Sequence, residues 1–169
     1  MNRGIHHIGL ATRDMDSTLD FYENVLGFAA VVCETIELDA GGVIRHAFFD
    51  VGEGELIAFM EANDVQGVSA DFDTGINRGL GIGGAVYHFA FKVEDPTELE
   101  KKRNELLEKG LSVRGIVDHG WCQSIYFRDP NFLQLEFCCL TAALGDEHVA
   151  DREGDTWKAY SRERAEISD

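Results

Sequence analysis

The sequence predicts an α+β fold made of two paired βαβββ modules. Two observations support this prediction: the order strand, helix and three strands occurs twice along the 169 residues, and both copies begin with similar hexapeptides. Residues 5–10 in the first copy resemble residues 86–91 in the second. Neither copy can cover both faces of its own sheet, so we expect the two copies to pack together.

The first module begins with a strand over 5–11, predicted from the alternation of apolar and other residues. A helix follows, with Asp14 or Asp16 as its N-cap and Gly27 as its end. Glycine turns then separate three predicted strands, which are 28–38, 43–51 and 55–61.

The second module repeats this order, beginning with a strand over 85–93. Asp95 is the expected N-cap of its helix, Pro96 fits the first helical position, and Gly110 ends the helix. The strands predicted to follow are 111–117, 123–127 and 133–139.

These boundaries give one domain over 1–145, with modules at 4–64 and 84–140 and a flexible linker at 65–83. Residues 79–84, where the linker meets the second module, match G-x-G-x-x-G. A strand follows this sequence rather than a helix, which excludes the dinucleotide-binding motif. The charged, acidic tail over 146–169 is predicted to be a helix or arm that packs on the body or on a partner subunit.

Composition excludes several classes of partner. The net charge of −16 argues against nucleic acid and anionic membranes, and the apolar runs are too short to span a bilayer. The strand pattern begins directly after residue 4, so we expect no signal peptide. The four cysteines form no C-x-x-C pair, which favours free thiols in the cytoplasm.

Three polar residues occupy equivalent positions in the repeat. His7 aligns with His88, and Glu136 aligns with Ala58. Strand alternation places His7, His88 and Glu136 on the faces opposite the apolar residues that pack against the helices. A carboxylate on such a concave face needs a partner, and two imidazoles with one carboxylate form a metal-ligand set with open positions. The pattern therefore predicts a divalent metal site.

With this pattern, residues 4–140 resemble the vicinal oxygen chelate superfamily, which contains glyoxalase I, bleomycin resistance proteins and extradiol dioxygenases. The resemblance implies a cupped, open β-barrel that holds one metal. Lyase and epimerase members usually have Glu or Gln where this chain has Ala58. The three remaining ligands leave open positions that suit Fe(II) binding a diol and O2, although Mn(II), Zn(II), Ni(II) and Co(II) remain alternatives.

The segment 117–136 is similar to the signature of single-domain type I extradiol dioxygenases, except for Phe132, where the family has Gly or Pro. By this resemblance, His119 and Tyr126 are catalytic residues that hydrogen-bond the bound dioxygen and substrate oxygens. Tyr126 shares strand parity with Ser124 and so fits a position inside the cup.

One feature departs from the ring-cleaving pattern. Those enzymes carry a base histidine just before the second ligand-bearing strand, and residues 71–85 contain none. Asp73 and the distant His46 are the available substitutes, and a metal-bound catechol is already more acidic than a free one.

The favoured hypothesis is an Fe(II)-dependent extradiol dioxygenase acting on a catechol-like diol with O2. The alternatives are a glyoxalase-like lyase or isomerase and a protein that binds a small aromatic ligand without catalysis. A homodimer is expected from the family and from oligomer statistics.

Overall fold

The computed structural model describes residues 4–145 together with 152–153 and 156–157. A π-helical turn, Phe21–Val25, continues helix α1. In chain order the elements are β1 His7–Thr12, α1 Met15–Asp20, β2 Ala30–Glu37, β3 Val43–Gly52, β4 Glu55–Asn63, α2 Ile76–Gly79, β5 Phe89–Lys92, α3 Pro96–Glu108, β6 Val117–Asp118, β7 Cys122–Arg128, β8 Gln134–Leu140, β9 Arg152–Glu153 and β10 Thr156–Trp157.

Each module forms its own four-stranded sheet, as the sequence predicts. The first sheet has the order β1-β4-β3-β2 and the second has the order β5-β8-β7-β6. In both sheets the first strand of the module pairs in parallel with the last, and the other neighbours are antiparallel. The strands that lead into each helix, β1 and β5, therefore lie at the sheet edges.

The helices begin where their caps predict. The Asp14 side chain accepts a hydrogen bond from the Ser17 amide at the start of α1. At the start of α3, Asp95 accepts from the amides of Thr97 and Glu98, and Pro96 occupies the first turn. Each cap satisfies amides that have no partner within the helix, which is why these two boundaries are readable from the sequence.

One hydrophobic core spans both modules. Tyr22 is fully buried after α1, and its ring packs against Phe49 and Phe59 at centroid distances of 5.0 and 4.8 Å. The ring of Phe28 contacts Phe91 of the second module at 4.9 Å. Residues of α3 and of the second sheet complete the same cluster, so the helix-bearing faces of the modules meet in one core.

A buried polar cluster also joins the modules. Tyr22 donates a hydrogen bond from its hydroxyl to Asp129 Oδ2 at 3.2 Å, across 107 positions of sequence. The Leu133 amide donates to Asp129 Oδ1, and Asn131 Nδ2 donates to Asp129 Oδ2 and to Thr18 Oγ1. Burial raises the pKa of Asp129 to about 6, although the three hydrogen bonds to the carboxylate act in the opposite direction.

The strand predicted over 85–93 is shorter in the structure, because β5 begins only at Phe89. The Asn77 side chain donates to the Tyr87 carbonyl at 2.7 Å and accepts from the Tyr87 amide at 2.9 Å. These backbone groups are therefore unavailable for pairing with β8. As a result His88 directly precedes the strand instead of lying within it.

One further predicted boundary is wrong. The strand expected over 111–117 is reduced to the two residues of β6. The segment before β6 is joined to β7 by a backbone hydrogen bond from the Arg114 amide to the Tyr126 carbonyl, but it forms no continuous ladder with that strand. The short helix α2 lies within the linker over 65–83.

The linker is held against the second module. Arg78 donates two hydrogen bonds to Asp73, and its guanidinium carbon lies 3.6 Å from the centre of the Phe132 ring. Phe132, the one mismatch in the signature segment, has a left-handed backbone with φ of 61°. Gly adopts this conformation without strain, which is consistent with the glycine that the family pattern allows here.

The helix predicted for the tail over 146–169 lies outside the described residues, apart from the four that form the antiparallel pair β9 and β10. Within the described part of the chain, no helix is long and apolar enough to cross a membrane.

Candidate functional site

Glu136 is at the centre of a polar cluster on the second sheet. It lies on β8 between Leu135 and Phe137, which both point into the core, and it is only 5% exposed. His88 lies beside it, with 3.3 Å between His88 Nε2 and Glu136 Oε2. A buried carboxylate is costly without a positive or hydrogen-bonding partner, and His88 is such a partner within reach of Glu136.

Tyr126 and His119 belong to the same cluster. Tyr126 lies opposite Glu136 in the β7–β8 register, and its hydroxyl is 3.1 Å from His119 Nε2. Burial raises the pKa of Tyr126 to about 12, and the negative charge of Glu136 contributes to the shift. The phenol is therefore neutral near pH 7 and available as a hydrogen-bond donor beside the carboxylate.

His7 lies on the first sheet. It is paired with Leu56 of β4, its Nδ1 is 2.9 Å from His6 Nδ1, and its ring centre is 5.5 Å from that of Phe48. Across residues 4–145 and the four described tail residues, no group of three or more His, Cys, Asp or Glu side chains is arranged to hold a metal ion. The structure thus brings His88 and Glu136 together without His7.

Ala58 lies on the face of the first sheet that carries His7. It is paired with Gly9 of β1 and with Phe48 of β3, and it is 1% exposed. Glu61 does not replace the missing carboxylate, because it lies three residues further along the strand and forms an ion pair with Arg45 at 3.2 Å.

Neither substitute for the missing base histidine contacts the Glu136 cluster. The hydrogen bonds from Arg78 lower the pKa of Asp73, so this carboxylate is a weaker base than an ordinary one. His46 lies on β3 of the first sheet, with its Nδ1 3.2 Å from Glu34 Oε1 and its ring against Phe48.

Two cysteines near Glu136 were not predicted as part of the site. Cys122 is buried, and its thiol forms a hydrogen bond with Cys138. Burial, followed by this hydrogen bond, raises the pKa of Cys122 to about 12. Strand parity could have revealed the pair, because Cys122 shares a face with Tyr126 and Cys138 shares a face with Glu136.

Comparisons with known proteins agree with this fold. A sequence profile of the Glyoxalase/Bleomycin resistance protein/Dioxygenase superfamily matches residues 4–137. A solved structure of an integron cassette protein from the mobile metagenome of a Halifax Harbour sewage outfall is 27% identical, with a TM-score of 0.57. The match covers 82% of this chain and all of that one.

Two curated relatives come from Bacillus subtilis strain 168. A protein named ring-cleaving dioxygenase MhqA is 30% identical over 137 residues, which is 79% of this chain and 39% of that protein. A protein named catechol-2,3-dioxygenase is 27% identical over 157 residues, which is 90% of this chain and 44% of that protein. This chain therefore spans about two fifths of the length of the curated relatives that it matches.

Proposed function

This chain belongs to the glyoxalase/bleomycin resistance protein/dioxygenase superfamily, and from that membership we propose that it is a metal-dependent, ring-cleaving dioxygenase. The proposed substrates are a small catechol-like diol and O2. Both oxygen atoms of O2 would enter the product as a ring C–C bond beside the diol breaks. The chain would act as a homodimer in the cytoplasm.

The observation that carries this proposal is the cluster of His88, Glu136, Tyr126 and His119. The imidazole of His88 and the carboxylate of Glu136 are groups of the kinds that bind metals. The neutral phenol of Tyr126, which is hydrogen-bonded to the imidazole of His119, lies beside them. The names of the two Bacillus subtilis relatives favour oxygen chemistry over the other activities of the superfamily.

The proposed ligand set is His7, His88 and Glu136, and the proposed metal is Fe(II). The donor chemistry of these three residues fits a divalent ion, because two imidazoles and one carboxylate leave positions for further ligands. The geometry of a single chain does not fit, since only His88 and Glu136 lie close together. We therefore assign no reaction step to the metal.

Tyr126 and His119 are proposed to position the substrate oxygens. With a pKa of about 12, Tyr126 keeps its proton and donates it in a hydrogen bond to an anionic or partly charged oxygen. The contact with His119 Nε2 orients the phenol, so the donor is in place before substrate arrives. A preorganised donor of this kind stabilises charge that develops during the reaction.

Oxygen uptake tests the proposal. The protein is loaded with Fe(II) without air, and O2 consumption is then measured with catechol and its methylated derivatives. We expect one O2 to be consumed for each ring opened, as followed by product absorbance. Loss of one positioned donor typically lowers kcat by about 100-fold or more. We therefore expect Tyr126→Phe to lower the kcat of O2 consumption by a factor of this order.

Tyr87→Phe is the matched control, because this tyrosine is 51% exposed and lies outside the cluster. Iron-loaded protein that consumes no O2 with any of these diols would refute the dioxygenase proposal. Turnover of a hemithioacetal by the Ni(II) or Co(II) form would instead support the lyase alternative.

A further inference from the structure

Two cysteines lie on the face of the second sheet that carries Glu136. Ser124 of β7 lies opposite Cys138 of β8, and Tyr126 is the next residue of β7 on the same face. Cys122 precedes Ser124 by two positions, so it shares this face as well. Cys122 and Cys138 are therefore diagonal neighbours on adjacent strands, and their thiols are joined by a hydrogen bond. The two sulfur atoms face each other beside the carboxylate.

The two thiols differ in their access to solvent. Cys122 is only 3% exposed, whereas Cys138 is partly exposed. On its other side Cys138 is paired with Lys92 of β5, an edge strand on which Ala90 and Lys92 are exposed. A small oxidant from solvent therefore reaches Cys138 first, because accessible thiols react and buried ones are inert. Cys122 lies behind it, in the position of a resolving thiol.

The other two cysteines have different surroundings. Cys33 lies on β2 of the first sheet and is exposed. Cys139 is 1% exposed and belongs to the hydrophobic core, because its side chain points to the face opposite that of Cys138. These two residues therefore serve as internal references, one for an accessible thiol and one for a buried thiol.

We propose that a peroxide oxidises Cys122 and Cys138 to a reversible disulfide, and that this bond inactivates the adjacent Glu136 site. The Cys138 thiol is first oxidised to a sulfenic acid, as the O–O bond of the peroxide breaks and one water is released. The Cys122 sulfur then attacks the Cys138 sulfur, the S–O bond breaks, and the hydroxyl leaves as water with the Cys122 proton. Two thiols and one H2O2 thus give one disulfide and two waters. Disulfides in a reducing compartment are usually transient and catalytic or redox-sensing.

The positions of the two cysteines explain how the bond acts on the site. Disulfides join Cα atoms about 4.4–6.8 Å apart, whereas diagonal neighbours across an antiparallel pair are about 7–8 Å apart. Closing the bond therefore requires β8 to shift relative to β7. Glu136 lies two residues before Cys138 on β8, and Tyr126 lies opposite Glu136 on β7. The shift consequently changes the alignment of the carboxylate with the phenol.

The inactivation rests on the proposed function, because it assumes that Glu136 binds the metal and that Tyr126 positions the substrate. A displacement of about 1 Å in an active site can lower the rate by about 100-fold. We therefore expect a loss of this order in the kcat of O2 consumption when the disulfide forms, and recovery when it is reduced. Formation of the disulfide itself needs no metal.

Mass spectrometry tests the disulfide independently of activity. The full-length protein is freed of metal with a chelator, so that iron does not convert the peroxide to radicals, and is then reduced and treated with H2O2. Remaining thiols are alkylated with iodoacetamide in denaturant before digestion without reductant. We expect a pair of peptides linked through Cys122 and Cys138 that separates after reduction with a phosphine. Cys139→Ala is the matched control, because it keeps both thiols of the pair and should give the same linked peptides.

Two single substitutions separate the roles of the thiols. In Cys122→Ser, we expect Cys138 to remain a sulfenic acid that dimedone traps. In Cys138→Ser, we expect Cys122 to be alkylated as an intact thiol, because burial keeps the oxidant away from it. Circular dichroism confirms that each variant is folded. Peroxide-treated wild type in which Cys33 is oxidised while both thiols of the pair are still alkylated would overturn the disulfide, and so would a link to Cys33 or between two chains.

Oxygen uptake tests the effect of the bond on the site. Peroxide-treated and untreated samples are desalted, loaded with Fe(II) without air, and assayed with the same diols. Oxidation should lower the kcat of wild type by about 100-fold, and the phosphine should restore it. Cys138→Ser, which cannot form the bond, should have equal rates with and without peroxide treatment.

The outcomes separate the two proposals. Disulfide-linked protein that consumes O2 at the rate of reduced protein would overturn the inactivation. Reduced protein that consumes no O2 would instead refute the proposed function, and the inactivation with it, while the linked peptides still decide whether the disulfide forms.

Discussion

Asp129 gives the sharpest prediction about stability, because it is a buried carboxyl group in the cluster that joins the modules. Its pKa is raised from 3.8 to about 6, mainly by burial. At about 1.4 kcal/mol per pKa unit, a shift of this size is worth about 3 kcal/mol. Because the pKa is higher in the folded state, this contribution to stability is complete below pH 3.8 and is lost as the pH rises through 6.

The perturbation is Asp129→Asn, which removes the ionisation and keeps an oxygen to accept from the Leu133 amide. The substitution also lowers the unfolding free energy by an amount that does not change with pH. The reason is that the new amide NH2 group faces Asn131 Nδ2, which donated a hydrogen bond to the carboxylate. The informative quantity is therefore the change with pH of the difference in unfolding free energy between the two proteins. Between pH 4.5 and 7.5 we expect wild type to lose about 2 kcal/mol relative to the variant.

Urea denaturation followed by circular dichroism, in steps of half a pH unit, measures this difference. The 30 other acidic residues are common to both proteins, so their titration cancels. Asp39→Asn in an exposed turn controls for the loss of one negative charge. A difference between wild type and Asp129→Asn that stays constant across the whole range would refute the argument that burial controls this carboxyl group.

Three further substitutions test local features of the fold and site. Gly42→Ala places a Cβ 2.7 Å from the Asp64 carbonyl oxygen, whereas the Gly41→Ala control has a similar positive φ but open space around its Cβ. Urea denaturation should therefore show that Gly42→Ala loses more unfolding free energy than Gly41→Ala, by about 1–3 kcal/mol. Asp95→Ala removes the cap of α3 and should cost about 1 kcal/mol in the same assay. Ala58→Glu adds a carboxylate to the sheet face that carries His7. With the proposed ligand set, this carboxylate would occupy a metal position that O2 or the diol needs, so O2 uptake should be abolished while Fe(II) remains bound. O2 uptake at the wild-type rate by the folded, iron-loaded variant would contradict that interpretation.

The sequence was sufficient to predict elements that depend on local chemistry. Asp14 and Asp95 fix the helix starts because each satisfies amides within its own turn. Apolar alternation defines most strands because one face of each sheet is buried. The start of β5 was not predictable in this way, because the Asn77 side chain, ten residues before Tyr87, binds the backbone that would otherwise extend the strand.

The sequence by itself determined the two modules, the paired sheets and the sheet faces on which His7 and Glu136 lie. These properties follow from alternation along a strand, which is local. Only the tertiary structure decided which of the proposed ligands meet, bringing His88 to Glu136 and Tyr126 to His119 while leaving His7 on another sheet. The physical reason is that alternation fixes the direction of a side chain relative to its own sheet, whereas the orientation of one sheet relative to the other depends on how the helix-bearing faces pack into their common core.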